Sequence, residues 1–326
     1  MSVDLQDLSR RLFKTAEQLW TNTALRPDQY AQPVLALIAL GYTLVYGIIE
    51  LINFAHGEVY MMGSFMALTV VTATGVSYTD SLSTRVLIII LALLVAMLFA
   101  GALNFTIDRV AYRRLRLAPR LAPLITAIGV SFVLQNVGIW WKGSRPSFFP
   151  DLLPQINVLE DWFGIETPIY FPFKMLFVMI VTVPLLLIMT WFVQRTRIGK
   201  AMRATAQDRE AAALMGIDVN RTIGITFMLG GIMAGAAGLI NGLYNNQVTF
   251  NMGFFAGLMA FTAAVLGGIG NLTGAVVGGI LLGIVQALSD TYISAQWTPA
   301  IVFAVLVLII VFRPTGLFGE QVPERA

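Results

Sequence analysis

"VLIIILALLVAMLFAGALNFTI", residues 86–107, is twenty-two residues long and carries no charge. A helix crosses the hydrocarbon core of a bilayer with about 20 apolar residues. Within that core no open element other than a helix satisfies its own backbone, so the run is predicted to be a membrane helix. Eight further apolar stretches follow the same logic, at roughly 33–49, 59–74, 121–141, 173–193, 222–244, 254–268, 273–288 and 298–312. Those at 86–107, 121–141, 173–193 and 222–244 are long enough to span; the last three are shorter and are expected to tilt, extend or cross in part. The composition agrees. Of 326 residues, 57% are hydrophobic and 12% charged, against about 45–50% and about 25% in soluble domains. Such a chain has too little polar surface to face water on all sides.

Charge placement orients the helices. Arg109, Arg113, Arg114, Arg116 and Arg120 crowd one loop, and Arg195, Arg197, Lys200, Arg203, Arg209 and Arg221 another. The 143–172 loop instead holds Asp151, Glu160, Asp161 and Glu166 against Arg145. The positive-inside rule puts both basic loops and the tail from Arg313 in the cytoplasm, and the 143–172 loop outside. In residues 1–30, Leu5, Leu8, Leu12, Leu19 and Trp20 recur at helical spacing opposite Arg10, Arg11 and Lys14, the pattern of an amphipathic helix on a membrane surface. Its basic residues favour the cytoplasm, whereas three full crossings before the Arg109 loop place it outside. The two agree if a segment near residue 55 is broken or re-entrant. The reading is therefore an N-terminal extension over 1–30, one transmembrane domain over 31–320 and a short tail over 321–326. A net charge of +3 confined to loops argues against nucleic acid. Absence of Cys excludes disulfides and thiol chemistry, and no secretory signal peptide is visible.

The stretch "LINFAHGEVYMMG", residues 51–63, sets Asn53, His56 and Glu58 between apolar runs. One His with no Cys falls short of a metal set. A proton relay is the second reading, although residues two apart do not face each other on a regular helix. The third is a helix break, tolerated only inside protein or beside a water-filled cavity, whose free backbone groups receive a substrate. A purely structural network also remains. A second polar cluster, Asn241, Tyr244, Asn245, Asn246 and Gln247, ends the 222–244 run and reads as a solvated helix end or as a gate or docking surface. Phe148, Phe149 and Trp162 mark the outer loop as another docking candidate. Small residues four apart, Gly230, Ala234, Gly238 and Gly242, and likewise Gly270, Gly274 and Gly278 beside Ala275, Gly279 and Gly283, form stripes for close helix packing, within the chain or against a partner.

The stretch "RTRIGKAMRATAQDREAAALMGIDVNRTIGI", residues 195–225, carries a short helix. Asp208 is placed to cap it, Arg209 and Glu210 fill its first turn, and Gly216 followed by Ile217 ends it. Two turns are too short to persist alone in water. Its apolar face of Ala211, Ala212, Leu214 and Met215 must therefore dock, on the protein's own helix ends or on a cytosolic partner.

Glu210-Ala211-Ala212, three residues, then Gly216 resembles the EAA loop of ABC importer permeases, with Arg203 and Asp208 in the same stretch. From about 36 to 320 the chain resembles the LivH-type permeases of branched-chain amino acid importers. The likeness rests on "ALIALGYTLVYGIIELINFAHGEVYMMGS", "DRVAYRRLR", "LITAIGVSFVLQN", "RIGKAMRATAQDREAAALMGIDVNR" and "GFFAGLMAFTAAVLGGIGNLTGAVVGGILLGI", in order. Residues 1–30 and 143–172 depart from it. The resemblance implies an all-α polytopic protein of about eight or nine spanning or partly spanning helices in the cytoplasmic membrane of a bacterium or archaeon. It further implies a second homologous permease, two ATPase subunits that carry the ATP and Mg, and a periplasmic or lipid-anchored amino-acid-binding protein. The segment 209–215 would couple to an ATPase, and Asn53, His56, Glu58, Asn241 and Asn245 are candidates for the path. The chain has no G-x-x-x-x-G-K-[ST], so it does not bind ATP by that route. Urea or short-chain amides are alternative cargo, and a proton-coupled secondary transporter is the alternative class.

Overall fold

Helix packing in lipid lacks the hydrophobic drive it has in water, so close approach of backbones has to supply the contact. The computed structural model describes residues 32–49, 53–116, 118–119, 121–162, 164, 171–268, 270–313 and 315–318. Each of the nine apolar stretches forms a helix there. In chain order these are α1 (Gln32–Ile49), α2 (Ala55–Thr74), α3 (Leu82–Ile107) and α4 (Leu121–Lys142), then α6 (Phe173–Arg195), α9 (Val219–Asn245), α10 (Met252–Gly267), α11 (Leu272–Tyr292) and α12 (Thr298–Phe312). Between them lie one turn, α5 (Val158–Asp161), and two short helices, α7 (Arg197–Gln207) and α8 (Arg209–Leu214). A π-helical turn, Asp108–Tyr112, and a 3-10 turn, Arg113–Leu115, prolong α3. The only strands among the described residues, β1 (Ser147–Phe148) and β2 (Gln247–Val248), pair antiparallel. Five helices, α3 with its extension, α4, α6, α9 and α11, are long and apolar enough to cross a membrane, and Val34–Gly47, Met252–Gly267 and Thr298–Phe312 are shorter apolar helices. The chain is an all-α polytopic membrane protein.

The centre is α1 and α9. Every residue from Val34 to Val45 is buried, the mark of a helix that is apolar all round and lies within a bundle. In α9, 78% of the most apolar window is buried, against 28% in α3 and in α4. The peripheral helices turn Leu87, Leu94 and Leu98, Ile125 and Phe132, and Leu187 and Ile188 outward, as lipid-facing surfaces do.

Close approaches fix the helix directions. A side chain on Gly235 of α9 would meet Ala96 and Ala100 of α3, and one on Gly224 would meet Phe105 and Asp108, so α3 and α9 are antiparallel. Gly238 and Gly242 lie against Ser64 of α2 and Gly230 near His56, so α2 runs parallel to α9. Gly279 abuts Ala36, and Gly47 abuts Gly270, so α1 opposes α11. Gly267 meets Gly274 while Gly278 meets Ala263, so α10 opposes α11. The glycine stripes thus pack within the chain at Gly230, Gly238, Gly242, Gly274, Gly278 and Gly279. Helices α1, α2 and α3 alternate in direction, so the first residue of α1 points to the end opposite the Arg109 loop. The amphipathic helix expected in residues 1–30 and the tail at 321–326 lie outside the described residues.

Of the break expected near 51–58, residues 51 and 52 lie outside the described residues, and the structure describes the rest. Asn53 and Phe54 lie outside both helices, but α2 begins at Ala55, so His56, Gly57 and Glu58 belong to its first turn. Gly57 serves packing rather than irregular backbone: a Cβ there would run into the Gly253 carbonyl and Gly257 of α10.

Replacing Gly235 by Val drives a branched side chain into the Ala96 carbonyl. It is expected to destabilise the fold by about 1–3 kcal/mol. The same change at Gly129, whose Cβ position meets nothing within 4 Å, is expected to stay within about 0.5 kcal/mol. Unfolding titrations in mixed micelles compare the two.

Candidate functional site

The start of α2 lies well inside the bundle. His56 is level with Gly230, eleven residues into α9, or about 16 Å along an axis of about 40 Å at 1.5 Å per residue. Asn53, His56 and Glu58 are all buried, with 2%, 0% and 0% exposure. Ionisable groups at such depth are costly and mark functional positions in membrane proteins.

The three side chains serve three different neighbours. Glu58 Oε1 accepts hydrogen bonds from Ser131 Oγ at 3.1 Å and Gln135 Nε2 at 2.7 Å, both on α4. Its Oε2 has no hydrogen-bond partner among the described residues and lies where a Cβ on Gly253 would stand. The His56 ring meets Tyr42 of α1 edge-on at 4.8 Å and fills the space left by Gly41. Neither of its ring nitrogens has a hydrogen-bond partner among the described residues. Asn53 Oδ1 accepts from the Tyr112 hydroxyl at 2.9 Å, while its Nδ2 is unpartnered among the described residues. His56 and Glu58 therefore make no bond to each other, and no group of three or more metal-ligating side chains occurs among the described residues. A buried polar atom without a partner costs about 1–3 kcal/mol. The cluster thus keeps unspent donors and acceptors where the bundle is deepest.

Sequence reasoning missed Tyr42, Tyr112, Ser131 and Gln135. Ser131 and Gln135 left a legible signal, two polar residues one helical turn apart in an apolar span, whereas Tyr42 and Tyr112 look like ordinary interfacial aromatics.

At the other end of α9 the sequence suggested a solvated helix end or a gate. Asn241 is instead buried at 2% and accepts from Asn245 Nδ2 at 2.9 Å. Residues 147–153 cover this end. Phe149 sits on Gly242, and its N–H bonds the Asn246 carbonyl at 2.9 Å. Leu152 and Leu153 are buried, and Arg85 donates to the Leu152 carbonyl at 3.1 Å. Lys174 binds Asn246 Oδ1 at 2.6 Å and pairs with Asp151 at 3.0 Å. Phe148 and Trp162 remain exposed. Asn241 and Asn245 are thus brought together at this capped end, apart from Asn53, His56 and Glu58.

At the basic-loop end, the capping expected from sequence is present. Asp208 Oδ1 accepts from the N–H groups of Glu210 and Ala211, each at 2.9 Å. Gly216 takes the left-handed φ of 83°, which costs glycine nothing. Its N–H bonds Ala213 O, and that of Ile217 bonds Ala212 O, both at 3.0 Å, the paired bonds of a Schellman ending. Ala212 is buried against the protein, whereas Leu214 and Met215 are 88% and 83% exposed. Glu210 and Ala211 are also exposed. Helix α7 anchors the loop: Thr196 Oγ1 caps it through Gly199 N–H, and the Arg203 guanidinium donates to the Val193 carbonyl at the end of α6. Arg203, Asp208, Glu210, Ala211, Ala212 and Gly216 therefore form one corner, with its largest apolar side chains uncovered.

The family model described as "Branched-chain amino acid transport system / permease component" matches residues 30–311. The chain belongs to this family. It is 39% identical over 290 residues to the "High-affinity branched-chain amino acid transport system permease protein BraD" of Pseudomonas aeruginosa, covering 89% of this chain and 93% of that one. To the "High-affinity branched-chain amino acid transport system permease protein LivH" of Escherichia coli K12 it is 41% identical, covering 89% and 92%. To the "Probable branched-chain amino acid transport permease protein LivH" of Methanocaldococcus jannaschii it is 29% identical over 235 residues, covering 72% and 67%. No solved structure matches the chain. Both the α2 cluster and the α8 corner lie within the family-matched residues.

The cap around Asp151 carries a pH dependence. Burial pulls the Asp151 carboxyl up, but the Gln155 amide, the Lys174 ammonium and Asn246 outweigh it, so the group ionises below the usual carboxylate range. A lowered pKa stabilises fully above about pH 4, the value of an unperturbed Asp, and the gain is lost as pH falls through the lowered value. Hydrogen-exchange protection of the β1 segment is expected to hold above that range and decline below it. In Lys174→Met that protection is expected to be weakened already at neutral pH.

Proposed function

We propose that the chain is the permease subunit of an ATP-driven importer and forms half of the path for leucine, isoleucine and valine across the cytoplasmic membrane of a bacterium or archaeon. The observation that carries this reading is about 40% identity, over nine-tenths of both chains, to permeases named for high-affinity branched-chain amino acid transport. The other half of the path comes from a second, homologous permease. Two ATPase subunits bind ATP and Mg, and a periplasmic or lipid-anchored binding protein delivers the amino acid to the face carrying the cap at 147–153.

The uncovered side chains of Leu214 and Met215 suit insertion into a groove of an ATPase, with Asp208 and Gly216 keeping α8 rigid enough to transmit a push. Arg203, Glu210, Ala211 and Ala212 complete the coupling corner. The interruption at Asn53 and Phe54 and the polar first turn of α2 lie near the path. A helix start inside a bundle offers free backbone groups to the charged ends of a zwitterion, and Asn53, His56 and Glu58 line it. Asn241 and Asn245 lie below the outer cap, where the amino acid enters.

The test is reconstitution of all five subunits in vesicles. ATP-dependent leucine uptake is expected, unchanged by an uncoupler and competed by isoleucine and valine but not by urea or acetamide. Uptake that needs no ATPase and collapses with an uncoupler would identify a secondary transporter instead. Glu210→Lys is expected to abolish co-purification of the ATPase at normal membrane abundance. His56→Ala is expected to keep uptake within about threefold of the parent, the range of a side chain that makes no directional bond; complete loss at normal expression would assign it direct contact or proton relay.

A further inference from the structure

The turn that follows α3 is wound as a π-helix over Asp108–Tyr112. Such turns are rare and recur at functional positions. Both its end residues point inward and are buried. Asp108 Oδ1 pairs with Arg116 Nη2 at 2.6 Å, with 1% and 11% of the two side chains exposed. The same guanidinium donates through Nη1 to Asn220 Oδ1 in the first turn of α9. That turn directly follows α8, joined by Asp218, whose Oδ1 caps α9 through the Arg221 N–H at 2.9 Å. At the other end of the π turn, the Tyr112 ring packs on Phe227 at 5.4 Å and its hydroxyl donates to Asn53 at 2.9 Å. One short turn is thus linked at one end, through Arg116, to the α8–α9 corner and hydrogen-bonded at the other to Asn53, two residues before α2.

We propose that Asp108 and Tyr112 are positioning residues that tie the α8–α9 corner to the α1–α2 break, so that movement of one moves the other. The inference rests on the reading of the chain as an importer permease. The chemistry favours a linkage over a mere brace. A buried ion pair adds little net stability against an apolar alternative, but it holds one geometry, because separating the charges is costly. The pair therefore makes Asn220 and the π turn shift together. The hydroxyl of Tyr112 contributes one directional bond to Asn53 and leaves its ring packing independent of that bond. Removing the oxygen should therefore loosen the linkage without opening a cavity.

The experiment uses the complete reconstituted importer and reads leucine taken up per ATP hydrolysed, a ratio independent of how much protein survives purification. Tyr112→Phe is expected to lower that ratio about threefold or more, with ATPase co-purification and thermal midpoint near those of the parent. Combining it with Asn53→Ala is expected to lower the ratio no further than Asn53→Ala alone, because one bond is lost in all three proteins. Asp108→Asn is expected to uncouple in the same direction, and if that variant does not fold, Tyr112→Phe decides. An unchanged ratio in Tyr112→Phe overturns the proposal, as do losses from Tyr112→Phe and Asn53→Ala that simply add. Absence of ATP-driven leucine uptake in the parent complex would reject the importer reading instead, whereas a transporting parent with a fully coupled Tyr112→Phe rejects the linkage alone.

Discussion

The fold depends on how closely backbones approach α9. Lipid wets an apolar helix as well as another helix does, so association has to come from van der Waals contact and buried hydrogen bonds. Gly231 and Gly235 admit the Ala96 and Ala100 backbone of α3, Gly238 admits Tyr60 and Ser64 of α2, and Gly230 admits the Gly41 carbonyl of α1. Three helices thereby converge on one, and α1, buried from Val34 to Val45, is held where no lipid reaches that stretch. The helices that need no such contact, α4 and α6, keep their outer faces rich in Leu, Ile, Val and Trp.

That sealed centre is what allows polar groups at its depth. In lipid, Glu58 would have no hydrogen-bond partner; inside the bundle it receives two hydrogen bonds from α4. Asn53 and Asn104 each bond across to another element as well, to Tyr112 and to the Phe227 carbonyl. These bonds pin α2, α3, α4 and α9 in register where the apolar contacts alone would permit sliding. Among the described residues they also leave several polar atoms without partners around the start of α2, where the helical ladder is interrupted deep in the bundle. The two ends of the molecule differ in kind. One is closed by a folded cap around Asp151, Lys174 and Asn246, and the other presents a rigid corner with bare Leu214 and Met215.

Much of this was legible in the sequence. The nine apolar runs became nine helices because each needs only its own hydrophobicity and the demand for internal backbone hydrogen bonds. The α8 corner was legible to the residue, since Asp208, Gly216 and Ile217 act within one or two turns of chain. The α2 cluster was legible as a place but not as an arrangement. Its partners Ser131 and Gln135 lie 73 and 77 residues away, and nothing local to Glu58 reports them. For Asn241 the sequence left a solvated end and a gate or docking surface open; burial removes the first, and it was not legible because the segment that covers it, from Phe148 to Leu153, has no periodic pattern to announce that it folds back.

By itself, then, the sequence determined the solvent, the helices and the caps of α8, which follow from composition, periodicity and short-range chemistry, while the family showed only in the likeness of its motifs to those of known permeases. The tertiary structure decided the rest: that Gly57 is a contact and not a hinge, that His56 and Glu58 turn to different helices, and that Tyr112 reaches Asn53. The physical reason is that close approach and directional hydrogen bonding depend on distances between segments far apart in the chain, and those distances exist only once the bundle has closed around α9.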